Sequence, residues 1–490
     1  MKKIILIPLA MLLMTFAAQA TIPDNFANAQ VLSGTVITVS NSNTTATTET
    51  GEPAATGSQT LWYAWTAPAT GEATINLNGS ASFTQVLTVW MGNSVSSLTA
   101  VVPATATTFP AVTFPVVAGT AYYICTGSYY SGQNGNIEVN LSLNTSSSID
   151  TLNFLATATT ANDNFVNRIA TSTEFGSFIA YNVSATREAL EPTPGNYTMW
   201  WTYHAPANGQ LDINDVGDGT WTFTKDITVW SGTAVQSLEL LTPTVTGGDC
   251  VLPVIQGNDY QICVSSYYGG QSGPIVLTFS LNTGYLNSFN LSGGAIFTND
   301  DFNSAAVLTG ADPAAVSYNT YATREALEPS NDGNQTIWFK WTAPAAGSTQ
   351  ITTAGSDSFT QYLTVYTGTA INALTQVVQA TGNPPTATFT AIAGQTYYIS
   401  VGSYYSGQTG AIVFSIFGQP GTTTGPTLSI AQAFMLQFPT VTGHTYRIQQ
   451  SSDLETWSTL TNVITGNNSV QPVFVNPQGA NNLSYRVTAQ

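Results

Sequence analysis

An eight-residue run returns three times, at spacings of 138 and 137 residues: Ser128-Tyr129-Tyr130-Ser131-Gly132-Gln133-Asn134-Gly135, Ser266-Tyr267-Tyr268-Gly269-Gly270-Gln271-Ser272-Gly273 and Ser403-Tyr404-Tyr405-Ser406-Gly407-Gln408-Thr409-Gly410. A fixed period of that length requires three copies of one folding unit, so the chain is an array. The copies also align with one another, which separates positions kept in register from those that drifted. On that ruler the repeats span 22–145, 162–283 and 299–418, and a distinct small module occupies 427–490 after a Gly/Thr/Pro linker.

Each repeat runs through the same ordered features. A short acidic opening (Asp24-Asn25-Phe26, Asp163-Asn164-Phe165, Asp300-Asp301-Phe302) is followed by a Glu-x-x-Glu-Pro motif at Glu49–Pro53, Glu188–Pro192 and Glu325–Pro329. An aromatic stretch follows, Trp62 to Pro68 in the first copy and Trp338 to Pro344 in the third. Then Phe83–Trp90, Phe223–Trp230 and Phe359–Tyr366 alternate apolar residues with Thr or Gln, the period of a half-buried strand. No segment has helical periodicity. Short strands rich in Val, Ile, Thr and aromatics, broken by Gly and Pro, predict an all-β chain: three tandem jelly-roll-like antiparallel β-sandwiches followed by a small β module.

Residues 1–20 read as a secretion signal, with Lys2 and Lys3, an apolar stretch from Ile4 to Phe16, and Ala18-Gln19-Ala20 as the cleavage site. No segment approaches the ~20 apolar residues that a membrane span needs, so export without membrane insertion is expected. Charged residues make up only 7% of the chain, and the net charge is −17. Nucleic acid is excluded as a partner, because phosphate contacts need clustered cations. A surface solvated by Thr, Ser, Asn and Gln also opposes self-association less than a charged one does.

The ordered motifs resemble the bacterial pre-peptidase C-terminal domain, a jelly-roll β-sandwich module of secreted proteases and other exported proteins. The resemblance rests on the Asp-Asn-Phe opening, the Glu-Pro motif, Trp-x-x-Trp-Thr-Ala-Pro, the Leu-Thr-Val strand and the Tyr-Tyr-Ile ending. The last module resembles a C-terminal β domain of large secreted proteins of Verrucomicrobia. Two departures limit what carries over. An Asp that relatives place before the Leu-Thr-Val strand is replaced here by Phe83-Thr84-Gln85, Phe223-Thr224-Lys225 and Phe359-Thr360-Gln361, and no stretch of this sequence reads as a peptidase domain.

Two groups of residues stand out as candidate sites. The first is the acidic set kept in a chain nearly stripped of charge: Asp24, Asn25, Glu49 and Glu52; Asp163, Asn164, Glu188 and Glu191; Asp300, Asp301, Glu325 and Glu328. Carboxylates with an amide carbonyl are hard oxygen ligands that suit calcium. The resemblance points the same way, since some collagen-binding relatives hold calcium near the N-terminal strand. The competing reading makes these residues turn caps, with Arg187 and Arg324 as ion-pair partners for the glutamates. The second group is the tyrosine loop: Tyr129, Tyr130 and Gln133; Tyr267, Tyr268 and Gln271; Tyr404, Tyr405 and Gln408. Flat rings and amides suit stacking on a sugar or a partner protein. One ring of each pair is expected to pack inward.

Cys250 and Cys263 fall on the two arms of an expected hairpin turning near Gly257-Asn258. That leaves a disulfide and two buried thiols both open. Trp62 and Trp65 lie three apart, on opposite strand faces, one in the core and the other free to be exposed. His204 and His444 have no nucleophile signature nearby, and no H-E-x-x-H, G-x-S-x-G or phosphate-loop motif occurs. The sequence therefore reads as a non-catalytic, exported protein that binds polysaccharide, matrix or another exported protein. A structural subunit of a matrix, sheath or fibre is the alternative, and an accessory of a secreted peptidase system comes third.

Overall fold

The computed structural model describes residues 22–193, 195–216, 223–291, 293–418, 434–459, 463–475 and 484–489. The expected signal peptide and the Gly/Thr/Pro linker lie outside them. The chain divides into two compact units, the first ending at Gly421 and the second beginning at Thr422. The described residues form β-strands and short 3-10 turns.

Repeat 1 shows the plan. Its strands are β1 (Gln30–Leu32), β2 (Val36–Ser42), β3 (Ser58–Thr66), β4 (Gly71–Asn76), β5 (Gln85–Met91), β6 (Thr99–Ala100), β7 (Thr105–Thr107), β8 (Ala111–Val116), β9 (Ala121–Ser128) and β10 (Asn136–Asn144). One sheet has the order β1-β3-β9-β5-β6, with β7 also on β5, and the other has β2-β10-β4-β8. All pairings are antiparallel except β1 with β3. Strict alternation on β4 sends Ala73 and Ile75 inward and Glu72 and Thr74 outward, as one solvated sheet face demands. Repeats 2 and 3 repeat these strand orders. The fold is all-β, built as tandem sandwiches.

Each repeat has two apolar layers. Between the sheets lies the main core, with Trp65, Tyr63, Phe114 and Tyr122 in repeat 1. On the outer face of the larger sheet sits a second cluster: Phe26, Trp62, Trp90 and Cys125, then Phe165, Trp200, Trp230 and Cys263, then Phe302, Trp338 and Tyr366. Trp62 and Trp65 do point to opposite faces, but both are buried. Trp62, the one on the outer face, is covered because the opening segment folds back with Phe26 over it, ring centroids 5.4 Å apart.

The repeats are fused rather than strung on linkers. Ile179, Tyr181 and Val276 of repeat 2 belong to the main core of repeat 1, and Val316, Tyr318, Ala411 and Val413 of repeat 3 belong to that of repeat 2. The Tyr181 hydroxyl donates to the Pro115 carbonyl at 2.6 Å and accepts from Tyr122 at 2.8 Å. The next junction repeats the contact, with Tyr318 donating to the Pro253 carbonyl at 2.5 Å. The connectors are part of these junctions. Leu155 and Thr159 donate to carbonyls of the strand Phe175–Tyr181, and Ile296 does the same at Val316.

The two ends of the array lack this apolar dress. Where Tyr181 and Tyr318 end their strands, β2 ends on Ser42, and where Val276 and Val413 face the preceding repeat, β10 carries Glu138. Thr38, Ser40 and Ser42 all face solvent. At the far end, Thr390 of repeat 3 stands exposed in the place of buried Pro115 and Pro253.

In the second unit, Thr445–Ser451 is the central strand, paired with Ser458–Thr459, Ile464–Thr465 and Ser484–Ala489, with Ile448 buried; Phe434–Pro439 pairs separately with Val470–Val475.

Candidate functional site

The acidic set acts as a three-part clasp. The Asp24 carboxylate accepts the Thr47 N–H at 2.6 Å and its hydroxyl at 3.1 Å. Glu49 accepts the Phe26 N–H at 2.9 Å, and Glu52 accepts the Trp62 indole N–H at 2.9 Å and the Thr60 hydroxyl at 2.8 Å. Asp163, Glu188 and Glu191 make the same bonds to Thr186, Phe165, Trp200 and Thr198. Asp300, Glu325 and Glu328 make them to Thr323, Phe302, Trp338 and Thr336. Burial pushes the carboxyls of Asp163, Glu191, Asp300 and Glu328 up from their ordinary values.

These residues do not fit a calcium site. Each of the three carboxylates in a copy accepts N–H or O–H donors of the chain, which a cation would have to displace. Asn25, Asn164 and Asp301 precede the 3-10 turns without a side-chain capping bond. Among the described residues, no group of three or more His, Cys, Asp or Glu is placed to hold a metal. The pinning of the N-terminal segment is done by the carboxylates themselves. Arg324 approaches Glu328 at 3.9 Å as an ion pair, whereas Arg187 donates to the Glu191 main-chain carbonyl.

The tyrosine loops differ from expectation in a way that bears on function. Neither ring packs inward. All six side chains are between 41% and 58% exposed, and each pair stands roughly edge to face with centroids 4.7–4.8 Å apart. In the third repeat, Tyr362 stacks on Tyr404 at 5.0 Å and widens the aromatic surface. Two of the three glutamines turn the other way: Oε1 of Gln133 and of Gln408 is buried, while Gln271 is exposed.

A buried asparagine, unremarked in the sequence, builds each loop. Asn43 donates to the carbonyl of Gln59 and to the Ser128 hydroxyl, and its own carbonyl accepts the Gly135 N–H at 2.8 Å. One side chain thus ties both ends of the loop. Asn182 and Asn319 do the same for Ser266 with Gly273 and for Ser403 with Gly410. The first tyrosine of each pair is fixed further by its N–H to the carbonyl of Thr84, Thr224 or Thr360. Gly132, Gly270 and Gly407 sit at φ of +81° to +88°, which a side chain would strain although space is open around them. The signal was available, since an Asn follows the first strand of the smaller sheet in every copy.

Cys125, Cys250 and Cys263 are free and buried. The expected hairpin joining Cys250 and Cys263 is instead a corner: Cys250 lies on the smaller sheet and faces the main core, and Cys263 lies on the larger sheet and faces the outer cluster. His204 pairs with Asp259 at 2.7 Å on the surface.

Residues 335–403 of repeat 3 match the family described as the bacterial pre-peptidase C-terminal domain. Comparison with curated proteins gave no match. Solved structures similar to the chain include the CUB1-EGF-CUB2 domain of human MASP-1/3, at 10% identity over 51% of this chain and 100% of that one (TM-score 0.15). The corresponding rat MASP-1 domains are 12% identical over 51% and 99% (TM-score 0.15). Tripeptidyl peptidase 2 is 8% identical over 90% of this chain and 37% of that one (TM-score 0.17).

Proposed function

We propose that the chain is an exported, non-catalytic binding protein whose three tyrosine loops engage an extracellular polysaccharide or the surface of an exported protein. One observation carries the reading: six tyrosines are held at the surface, in pairs, on loops that a buried asparagine fixes at both ends. Rigid aromatic side chains give contact area at low entropic cost, and pre-ordering the loop removes a further cost of binding. A fold that needed these rings for stability would have buried them, as it buries Trp62, Trp65 and Tyr122. The family matched by repeat 3 supports an accessory, non-catalytic role. Fibre formation by end-to-end stacking is disfavoured by the polar faces at Ser42 and Thr390.

The test is retention on insoluble polysaccharides and on collagen. Tyr130→Ala, Tyr268→Ala and Tyr405→Ala, combined one by one, reduce retention in steps without lowering the melting temperature. A triple variant retained like the parent would remove this reading.

A further inference from the structure

Repeat 2 has a cavity of about 500 Å³ beside its tyrosine loop, within the ~300–1,000 Å³ typical of small-molecule sites. It is lined by Asn214, Asp215, Phe223, Lys225, Asp249 and Gln271, the last from the loop itself. Lys225 is 2% exposed, its ammonium lies 2.7 Å from Asp215 Oδ2, and it covers the Phe223 ring at 4.5 Å. The sister repeats do without this ion pair. At the two positions repeat 1 has Leu77 and Gln85, and repeat 3 has Thr353 and Gln361, all fully buried. A buried ion pair is seldom more stabilising than an uncharged replacement, so the fold alone gives no reason for it in one copy only.

We infer that this cavity is a second, repeat-2-specific binding site, for a neutral saccharide unit. Lys225 is matched by Asp215, and Asp249 adds a negative charge at the rim, so anionic sugars and phosphates are repelled. The carboxylates and amides among the lining residues are the partners that vicinal hydroxyls need, since each hydroxyl both donates and accepts. The cavity adjoins Tyr267 and Tyr268 through Gln271 and Thr224, so a glycan seated in it would continue onto the exposed rings. The inference takes the glycan side of the proposed function and rests on it.

The test titrates the whole chain calorimetrically with cellotriose, maltotriose, mannotriose and chitotriose, and with trigalacturonic acid as the anionic arm. At least one neutral trisaccharide binds, and the anionic one does not. Asp215→Thr with Lys225→Gln, the pair found in repeat 3, weakens that binding about tenfold or more, the loss expected for charge-assisted hydrogen bonds. Asp249→Ala, at an exposed residue whose loss leaves the core intact, also weakens it. Absence of binding by every neutral trisaccharide at about 10 mM, a few-kcal/mol affinity floor, overturns the inference, as does preference for the acid or indifference to both variants. If trisaccharide binding is lost in these variants while the Tyr130/Tyr268/Tyr405 triple variant still holds the polymer, the cavity stands and the tyrosine reading fails. If the triple variant loses the polymer while no trisaccharide binds, the reverse holds.

Discussion

Tyr181 is where the claim of a fused array is most exposed to refutation. Its hydroxyl donates to the buried Pro115 carbonyl and accepts from the buried Tyr122 hydroxyl, both in the preceding repeat. Tyr181→Phe keeps the ring and the apolar contact but strands the Pro115 carbonyl away from water, while the Tyr122 hydroxyl keeps Thr120 and the Val117 main chain as partners. A buried orphan costs about 1–3 kcal/mol, so the variant should lose about that much. Tyr181→Ala adds a cavity at the seam and should lose about 3–5 kcal/mol or more. Ser42 occupies the same strand position in repeat 1 but faces solvent, and Ser42→Ala should change stability by less than about 0.5 kcal/mol. Urea unfolding with a common m-value gives these differences, and calorimetry counts the transitions. The parent array should melt as one coupled transition, and Tyr181→Ala should release repeat 1 as a separate one. Independent transitions in the parent, or a Tyr181→Phe variant indistinguishable from Ser42→Ala, would show that the repeats touch without coupling.

The clasp predicts that Glu328→Ala destabilises repeat 3 by about 1–3 kcal/mol, because the Trp338 indole N–H loses its acceptor inside the fold while the Thr336 hydroxyl keeps the Thr323 carbonyl; urea unfolding reads it. Because the carboxylates are already bonded, neither calcium nor a chelator should move the melting temperature, and an upward shift with calcium would show that the clasp opens around an ion. Burial raises Asp357 to about 6. Its folded value lies above the unfolded 3.8, so its destabilising ionisation is complete above pH 6 and relieved as pH falls through 6 toward 4. The gain is on the order of 2–3 kcal/mol, in the same direction as the raised Glu191 and Glu328. Melting temperature should therefore rise between pH 7 and pH 5, and Asp357→Asn should flatten that rise; a fall with acid in both proteins would contradict it.

The sequence carried the architecture because alternation is a local signal. Phe83–Trp90 reads as a strand in any context, and the triplicate run set the unit. The acidic motifs were legible as important and opaque as to role, since Glu52 suits a cation as well as it suits the Trp62 indole until their distance is known. The junctions were hidden for a different reason. Ser42, Tyr181 and Tyr318 occupy matching positions, but the difference has meaning only once that strand is known to face a neighbouring repeat. Asn43 left its signal only between copies, as an Asn after the same strand in each, because a single residue that ties two distant segments leaves no pattern in its own neighbourhood.

Fusion of the repeats also alters what the three proposed sites can do together. On flexible linkers, a second tyrosine loop would sample many separations and gain from almost any multivalent ligand at a modest effective concentration. Here the same contact recurs at Tyr181 and at Tyr318, so each loop follows the last by one fixed rotation and translation. Fixed sites bind together only where the ligand offers epitopes at that repeat, and they then gain more because no linker entropy is lost. An ordered polysaccharide or a periodic protein surface meets that condition, whereas a short soluble fragment meets one site at a time. The array should therefore discriminate between a polymer and its own fragments far more sharply than a single repeat does. Equal relative preference in the whole array and in the Tyr130/Tyr268 double variant, which leaves one intact loop, would mean that the fixed spacing has no part in recognition.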